Sequence, residues 1–347
     1  MFGFENPLLG ATVRYALFIA CFASLLVSPH EATSAEYLTP RGRPPAGWTR
    51  LEWPEKRAIL FGQFAPTDGE KQAIDAAMPT GAAPPVDPPR VLIFYRCQYP
   101  HASIATGVYA LEQLGEATGA FRPTLSEDPA DFNPATLAEF DAVLLIHTTS
   151  YDRTIGPSGQ AALADFMQRG KGLVGIHAAA DASAGWSVGA DLMGGVFRGH
   201  PWLPRDEWAI KLESPDHPLN AAFGGEGFWL ADEIYIYRPG TFSRTRSRVL
   251  LSLDMAQAHN RESKQIPERM LGHVSESGDY PIAWLHERGG GRVFYSNLGH
   301  SAATFREPAV LRHYLDGVLY ACGRLSADAT PSAELSETAT APAPDRE

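Results

Sequence analysis

The chain has 347 residues, 44% of them hydrophobic and 20% charged, with a formal net charge of -11. These proportions are those of a globular protein long enough to bury a sizeable core, in one large domain or two small ones. The acidic balance argues against nucleic acid and against anionic membranes as partners.

At the N-terminus, Arg14 precedes an apolar run from Tyr15 to Val27. The run is shorter than the roughly 20 residues a membrane span needs. Small residues follow, with Thr33 and Ala35 three and one positions before a cut. This pattern predicts a secretory signal peptide over residues 1–35, hence a periplasmic or secreted protein with no membrane partner after cleavage. An uncleaved anchor is the alternative. Export leaves Cys97 and Cys322, two buried free thiols with neither a disulfide framework nor a zinc-type cysteine cluster.

Residues 36–88 read as an N-terminal extension and Pro/Ala-rich linker, with a short amphipathic stretch near Trp53 to Phe64 and the ending PTGAAPPVDPPR. The dense region, residues 89–324, opens with VLIFYRC (91–97), a strand apolar on both faces. Ser103 then precedes a helical pattern carrying Ile104, Val108, Leu111 and Leu114. Phe121 to Glu127 is a second extended run. AVLLIHT (142–148) is a third strand, Pro157 opens a helix that stops at Gly170, and GLVGIHA (172–178) is a fourth strand. Strands apolar on both faces and alternating with helices predict an α/β fold with a parallel sheet covered on both sides.

The second half predicts an antiparallel extension. Trp208 to Glu213, Trp229 to Tyr237 and Val249 to Leu253 read as strands, and 281–288 with 292–298 as a hairpin. Pro308 starts a last helix, ended by Gly323. Residues 325–347 have almost no large apolar side chain and are expected to form a disordered tail.

Parallel sheets bind ligands outside the carboxyl ends of their strands. His101 and Ser103 follow the first strand, His147 and Thr148 end the third, and His177 ends the fourth, with Asp181 just beyond. Asn297 and His300 follow the strand at 292–298, and His200 sits between Gly199 and Pro201. Histidine titrates near neutrality, so such a gathering suits acid–base catalysis. The duller readings stand beside it: caps for Ser103 and Asp181, a strand end for His147, a turn for His200, a solvated edge for Asp232 and Glu233. His259, His286 and His313 are expected at the surface. Nucleotide-binding glycine loops, HExxH and GxSxG are missing.

In order along the chain, VGIHAAAD (174–181), LMGGVFRGHP (192–201), DHPL (216–219), the acidic pair 232–233, LLSLD (250–254) and PIAW…GGGRVFYSNLGH (281–300) closely resemble the ThuA-like family, named for trehalose utilisation. The resemblance runs from about 90 to 323, and SEDPADF (126–132) falls where a TEDP-like segment is expected. It implies the flavodoxin-like sheet of the class I glutamine amidotransferases. His177 takes the place of their nucleophilic Cys, and His300 that of their catalytic His. Without a Cys at that turn, glutamine hydrolysis is not expected. Two positions depart from the family pattern: CQYP separates Arg96 from His101, and His147 replaces an Asn.

The resemblance also implies carbohydrate catabolism, notably of sugars oxidised at carbon 3. A ketone there acidifies the C2 hydrogen, so a base can start elimination, isomerisation or hydrolysis. The residues assigned to this chemistry are His177, His300 and His101, with His177 or His300 as the base. Asp181, His147, Thr148, Ser103, His200, Asn297, Asp232 and Glu233 are assigned to substrate binding. No cofactor is marked, although a divalent metal is compatible with converging histidines. The expected partner is a small-molecule sugar, and a homo-oligomer is compatible with the sequence. The competing reading is a non-catalytic carbohydrate-binding domain using Trp186, Trp202, Trp208 and Trp229 as stacking platforms.

Overall fold

The computed structural model describes residues 46–80, 85–181 and 185–346. The expected signal peptide lies outside the described residues, as does part of the linker.

The strands, in chain order, are β1 (Arg90–Phe94), β2 (Arg122–Ser126), β3 (Ala142–Ile146), β4 (Gly172–Ile176), β5 (Phe197–Trp202), β6 (Trp208–Glu213), β7 (Phe228–Leu230), β8 (Ile234–Tyr237), β9 (Arg248–Leu253), β10 (Pro281–Arg288), β11 (Gly291–Ser296) and β12 (Thr340–Ala341). One sheet runs β12-β6-β9-β10-β11-β4-β3-β1-β2, and β7 pairs with β6. Strands β2, β1, β3, β4 and β11 are parallel. Strands β10, β9 and β6 extend the sheet antiparallel. The expected α/β sheet with an antiparallel extension is therefore present.

Side-chain alternation explains why these strands are apolar throughout. Val91, Ile93, Leu144, Ile146, Val174 and Ile176 pack on one face with the helices Ile104–Thr118 and Pro308–Ala321. Leu92, Phe94, Val143, Leu145 and Leu173 pack on the other with the helix Gly156–Gln168. Both faces are covered, so neither can be polar.

The chain leaves β1 for β2 on one side and returns to β3 on the other. That reversal opens a crevice at the carboxyl ends of β1 and β3. His101 follows β1, His147 follows β3, His177 follows β4, and Asn297 and His300 follow β11. Strands β5 and β8 form a separate antiparallel pair, joined to these strand ends by Tyr235, whose N–H donates to Asn297 Oδ1 at 3.1 Å.

Four expectations need correction. The segment after Leu325 is not disordered: β12 adds to the edge of β6, and Ser332 Oγ accepts from the Val249 N–H at 2.9 Å. Its small side chains let the backbone lie close to the sheet, so ordering comes from main-chain hydrogen bonds rather than from apolar burial. His286 and His313 are not surface residues but fully buried, each bonded to a carbonyl, of Leu192 and Leu219 respectively. The extended run 229–237 is two strands, broken at 231–233. His200 lies within β5 rather than in a turn.

N-terminal to the sheet, helices Trp53–Gln63 and Asp68–Ala76 insert Trp53, Leu60 and Ile74 into the core. Both helices carry a capping box, Glu52 with Glu55 and Thr67 with Glu70, which satisfies their first N–H groups. Cys97 and Cys322 are free thiols, buried and half-buried, and burial pushes the Cys322 thiol up to about 12. Among the described residues no helix is long and apolar enough to cross a membrane.

Candidate functional site

The break between β7 and β8 turns Asp232 and Glu233 inward, and both are buried. Asp232 is a clamp. Its carboxylate accepts from the N–H groups of Gly299 at 2.6 Å, Ser301 at 3.0 Å and Glu233 at 2.8 Å, and from Thr304 Oγ1 at 2.8 Å. The bonds from Gly299, Ser301 and Thr304 fix the loop that presents His300. Gly299 has φ 127, and a Cβ there would meet Ile176 and Phe305 at 3.2 Å, so this tight loop requires glycine.

His177 is the centre of the constellation. Its φ is 50, left-handed geometry that turns the side chain sharply off the end of β4. Nδ1 lies 2.6 Å from the Asn297 carbonyl. A carbonyl only accepts, so Nδ1 carries the proton and Nε2 presents a lone pair. Around Nε2 stand Tyr235 Oη at 2.8 Å, His300 Nδ1 at 3.3 Å and Glu233 Oε1 at 3.7 Å. Glu233 Oε1 is 3.3 Å from His300 Nδ1, and Glu233 Oε2 is 3.4 Å from His200 Nδ1.

His101 stands edge-on to both His177 and His300, with ring centroids 5.0 and 5.2 Å away. Its buried Nδ1 has no well-aligned hydrogen-bond partner among the described residues. His147, with φ 53, stacks on His101 at 4.7 Å. Its Nε2 is 3.2 Å from Ser103 Oγ, which donates to the Gly299 carbonyl at 2.9 Å. Ser103 therefore joins His147 to the His300 loop and makes no side-chain cap on its helix. His101, His177, Glu233 and His300 each offer one donor atom, all within 4.8 Å of one another, so these four can hold a metal ion.

The electrostatics follow from this packing. Burial, then the neighbouring imidazoles, holds His147 and His177 well below the ordinary histidine value. Burial and His300 lower His101 to about 3. His300 is also penalised by burial, but Glu233 and Asp232 together outweigh the penalty and raise it. Burial would raise Glu233, yet His300, His200 and His101 hold it below its ordinary value. Glu233 and His300 thus each favour the charged form of the other.

The structure brings together His101, His147, His177, His200, His300, Ser103, Asn297 and Glu233. Asp232 positions the His300 loop. Thr148 is turned away, its hydroxyl on the Phe94 carbonyl at 3.3 Å. Asp181 lines a neighbouring polar cleft with Tyr99, Arg153 and Arg238, and burial raises its carboxyl. Tyr235 was missed by sequence reasoning. The signal for it was the aromatic alternation of IYIY immediately after an acidic pair.

A family model described as trehalose utilisation, ThuA, matches residues 90–321. Among solved structures, a ThuA-like protein from Bacteroides uniformis ATCC 8492 is similar, at 22% identity and a TM-score of 0.55, covering 70% of this chain and 96% of that chain. Another, from Parabacteroides merdae ATCC 43184, has 16% identity and a TM-score of 0.51, covering 69% of this chain and 92% of that one. No curated protein matches the chain.

Proposed function

The chain belongs to the ThuA, or trehalose utilisation, family, and from that premise we propose that it acts on a carbohydrate by proton transfer beside a sugar ketone, at the cluster of His101, His177, Glu233 and His300. The observation that carries the reading is convergence. His177 Nε2, His300 Nδ1 and Glu233 Oε1 stand 3.3 to 3.7 Å apart at the carboxyl ends of parallel strands, where such sheets bind ligands.

The reaction class is an elimination or isomerisation of a 3-keto-glycoside. A base takes the C2 proton, and the electron pair moves toward the ketone oxygen. The C1 substituent then leaves with its bonding pair and gains a proton, or the enolate is reprotonated as an isomer. Two roles follow, an electrophilic centre for the developing oxyanion and a proton carrier. The protonated ring of His300, favoured by Glu233, with the Tyr235 hydroxyl close by, supplies the first. The Glu233–His200 pair supplies the second, because the His200 side chain is 34% exposed and links the buried carboxylate to solvent. His177 is less suited to carry protons in and out, since it is fully buried beneath Tyr235.

The tryptophan-platform reading finds little support. Trp202 and Trp208 are fully buried, with their indole N–H groups committed to the Asn260 and Leu203 carbonyls. Trp229 is bonded to the Pro344 carbonyl and covered by Arg346.

The test is incubation of the purified protein with glycosides and their 3-keto forms, read by mass spectrometry. Turnover of the keto forms alone is expected, reduced at least about 100-fold in Glu233→Gln and His300→Ala. No turnover of any carbohydrate, or unchanged turnover in both variants, overturns the reading. The N-terminal pattern supports export, which predicts a mature chain starting at Glu36; an intact N-terminus on the protein recovered from its native compartment would refute that.

A further inference from the structure

We propose that His101, His177, Glu233 and His300 form a binding site for a divalent transition-metal ion of the zinc class. A metal bound at about 2.0–2.1 Å by tetrahedral nitrogen and oxygen donors sets those donors roughly 3.4 Å apart. Three of the donor atoms already form such a triangle: His177 Nε2 to His300 Nδ1 is 3.3 Å, His300 Nδ1 to Glu233 Oε1 is 3.3 Å, and His177 Nε2 to Glu233 Oε1 is 3.7 Å. The donor atom of His101 lies within 4.8 Å of the other three, so a small side-chain movement completes four ligands.

The surroundings are those of a ligand set rather than of four chance neighbours. Metal-bound imidazoles typically donate their other N–H to a carbonyl or carboxylate, which fixes the ring and its tautomer. His177 does this through Nδ1 to the Asn297 carbonyl at 2.6 Å. Glu233 directs Oε1 into the triangle while Oε2 faces His200 at 3.4 Å, so one carboxylate joins the centre to an outer imidazole. The His300 loop is held by the three bonds that Gly299, Ser301 and Thr304 give to Asp232. Three nitrogens and one carboxylate oxygen suit Zn²⁺, Co²⁺, Mn²⁺ or Fe²⁺ and disfavour Ca²⁺ and Mg²⁺, which take oxygen donors. The ion would use the lone pair now engaged by Tyr235, leaving that hydroxyl beside the centre. This proposal rests on the preceding functional reading for what the ion does, a Lewis acid for the ketone oxygen, and not for whether the ion binds.

The experiment strips the full-length protein with chelator, dialyses it against Zn²⁺, Mn²⁺ or Ca²⁺, and measures bound metal by mass spectrometry. One Zn²⁺ per chain is expected, with a raised Tm and no retained Ca²⁺. His300→Ala and Glu233→Gln should each weaken Zn²⁺ binding at least about 100-fold, whereas His200→Asn should weaken it about 10-fold. His259→Ala, outside the cluster, should bind as the parent does. Because variants of buried residues can fail to fold, Co²⁺-loaded wild-type protein supplies a second readout: X-ray absorption should count three imidazoles. Substoichiometric Zn²⁺, equal retention of Ca²⁺, or fewer than two imidazoles overturns the site. Stoichiometric zinc without carbohydrate turnover would sink the functional reading and leave the metal site standing. Turnover surviving complete zinc removal would leave the functional reading standing and take the ion out of its chemistry, while the bound-metal stoichiometry alone decides the site.

Discussion

His147 and His177 both adopt left-handed backbone angles, φ 53 and φ 50, which cost a non-glycine residue about 1–2 kcal/mol each. The surrounding structure holds them there through the Asn297 carbonyl and Ser103, and the strain aims both rings across the strand ends. Tyr235 tests the polar part of that arrangement. Tyr235→Phe keeps the ring packed against Phe197, 4.4 Å away, and removes only the hydroxyl on His177. We expect a Tm within a few degrees of the parent, a loss of about 1 kcal/mol, and a clear fall in turnover; unchanged turnover would remove the hydroxyl from the mechanism. Asp232→Asn sets an amide N–H₂ against donors the carboxylate now accepts from. A loss of about 1–3 kcal/mol in urea unfolding is expected, together with the loss of His300 from the cluster. A variant as stable as the parent would show that the clamp does not hold the loop.

Between β7 and β8, residues 231–233 leave the sheet, and that interruption converts an apparent solvated edge into a buried acidic pair. Alternation alone reads 229–237 as continuous, because the aromatic residues on both sides of the break satisfy the same period. The tail presents the opposite problem. Its composition holds no core, yet its backbone pairs with β6 at Glu213 and Leu212 and covers a sheet edge that would otherwise be open to pairing with other chains. Truncation after Leu325 should therefore lower Tm and promote association, read by scanning calorimetry and light scattering. A truncated chain that melts with the parent and stays monodisperse would show that the tail only rests on the sheet.

For the whole molecule, the parallel sheet provides the frame and acid sensitivity follows from what it buries. His286 and His313 each have a pKa lowered to about 4, first by burial, then opposed by their carbonyl partners. The unfolded value is roughly 6.5. Below that value the unfolded chain binds protons that the folded chain refuses, so stability falls as pH drops from about 6.5 to 4 and is unaffected by these groups above it. The loss reaches about 3 kcal/mol for each group at the lower limit. Urea midpoints should hold between pH 7 and 8 and decline toward pH 5, less steeply in His313→Gln. A midpoint independent of pH across that range would contradict the burial of both rings.

The sequence by itself determined the strands of the parallel sheet, the helices that cover it, and the positions of His101, His147, His177 and His300 at strand ends. Those features are local: a doubly buried strand must be apolar throughout, and a ligand crevice lies where such strands stop. Only the tertiary structure decided that Glu233 and Tyr235 meet His177, that Asp232 clamps a loop 67 residues away, that Thr148 turns aside, and that the polar tail is ordered. The physical reason is the same in each case. These outcomes depend on hydrogen bonds between segments distant in the chain, and no periodicity or spacing within one segment encodes its partner in another.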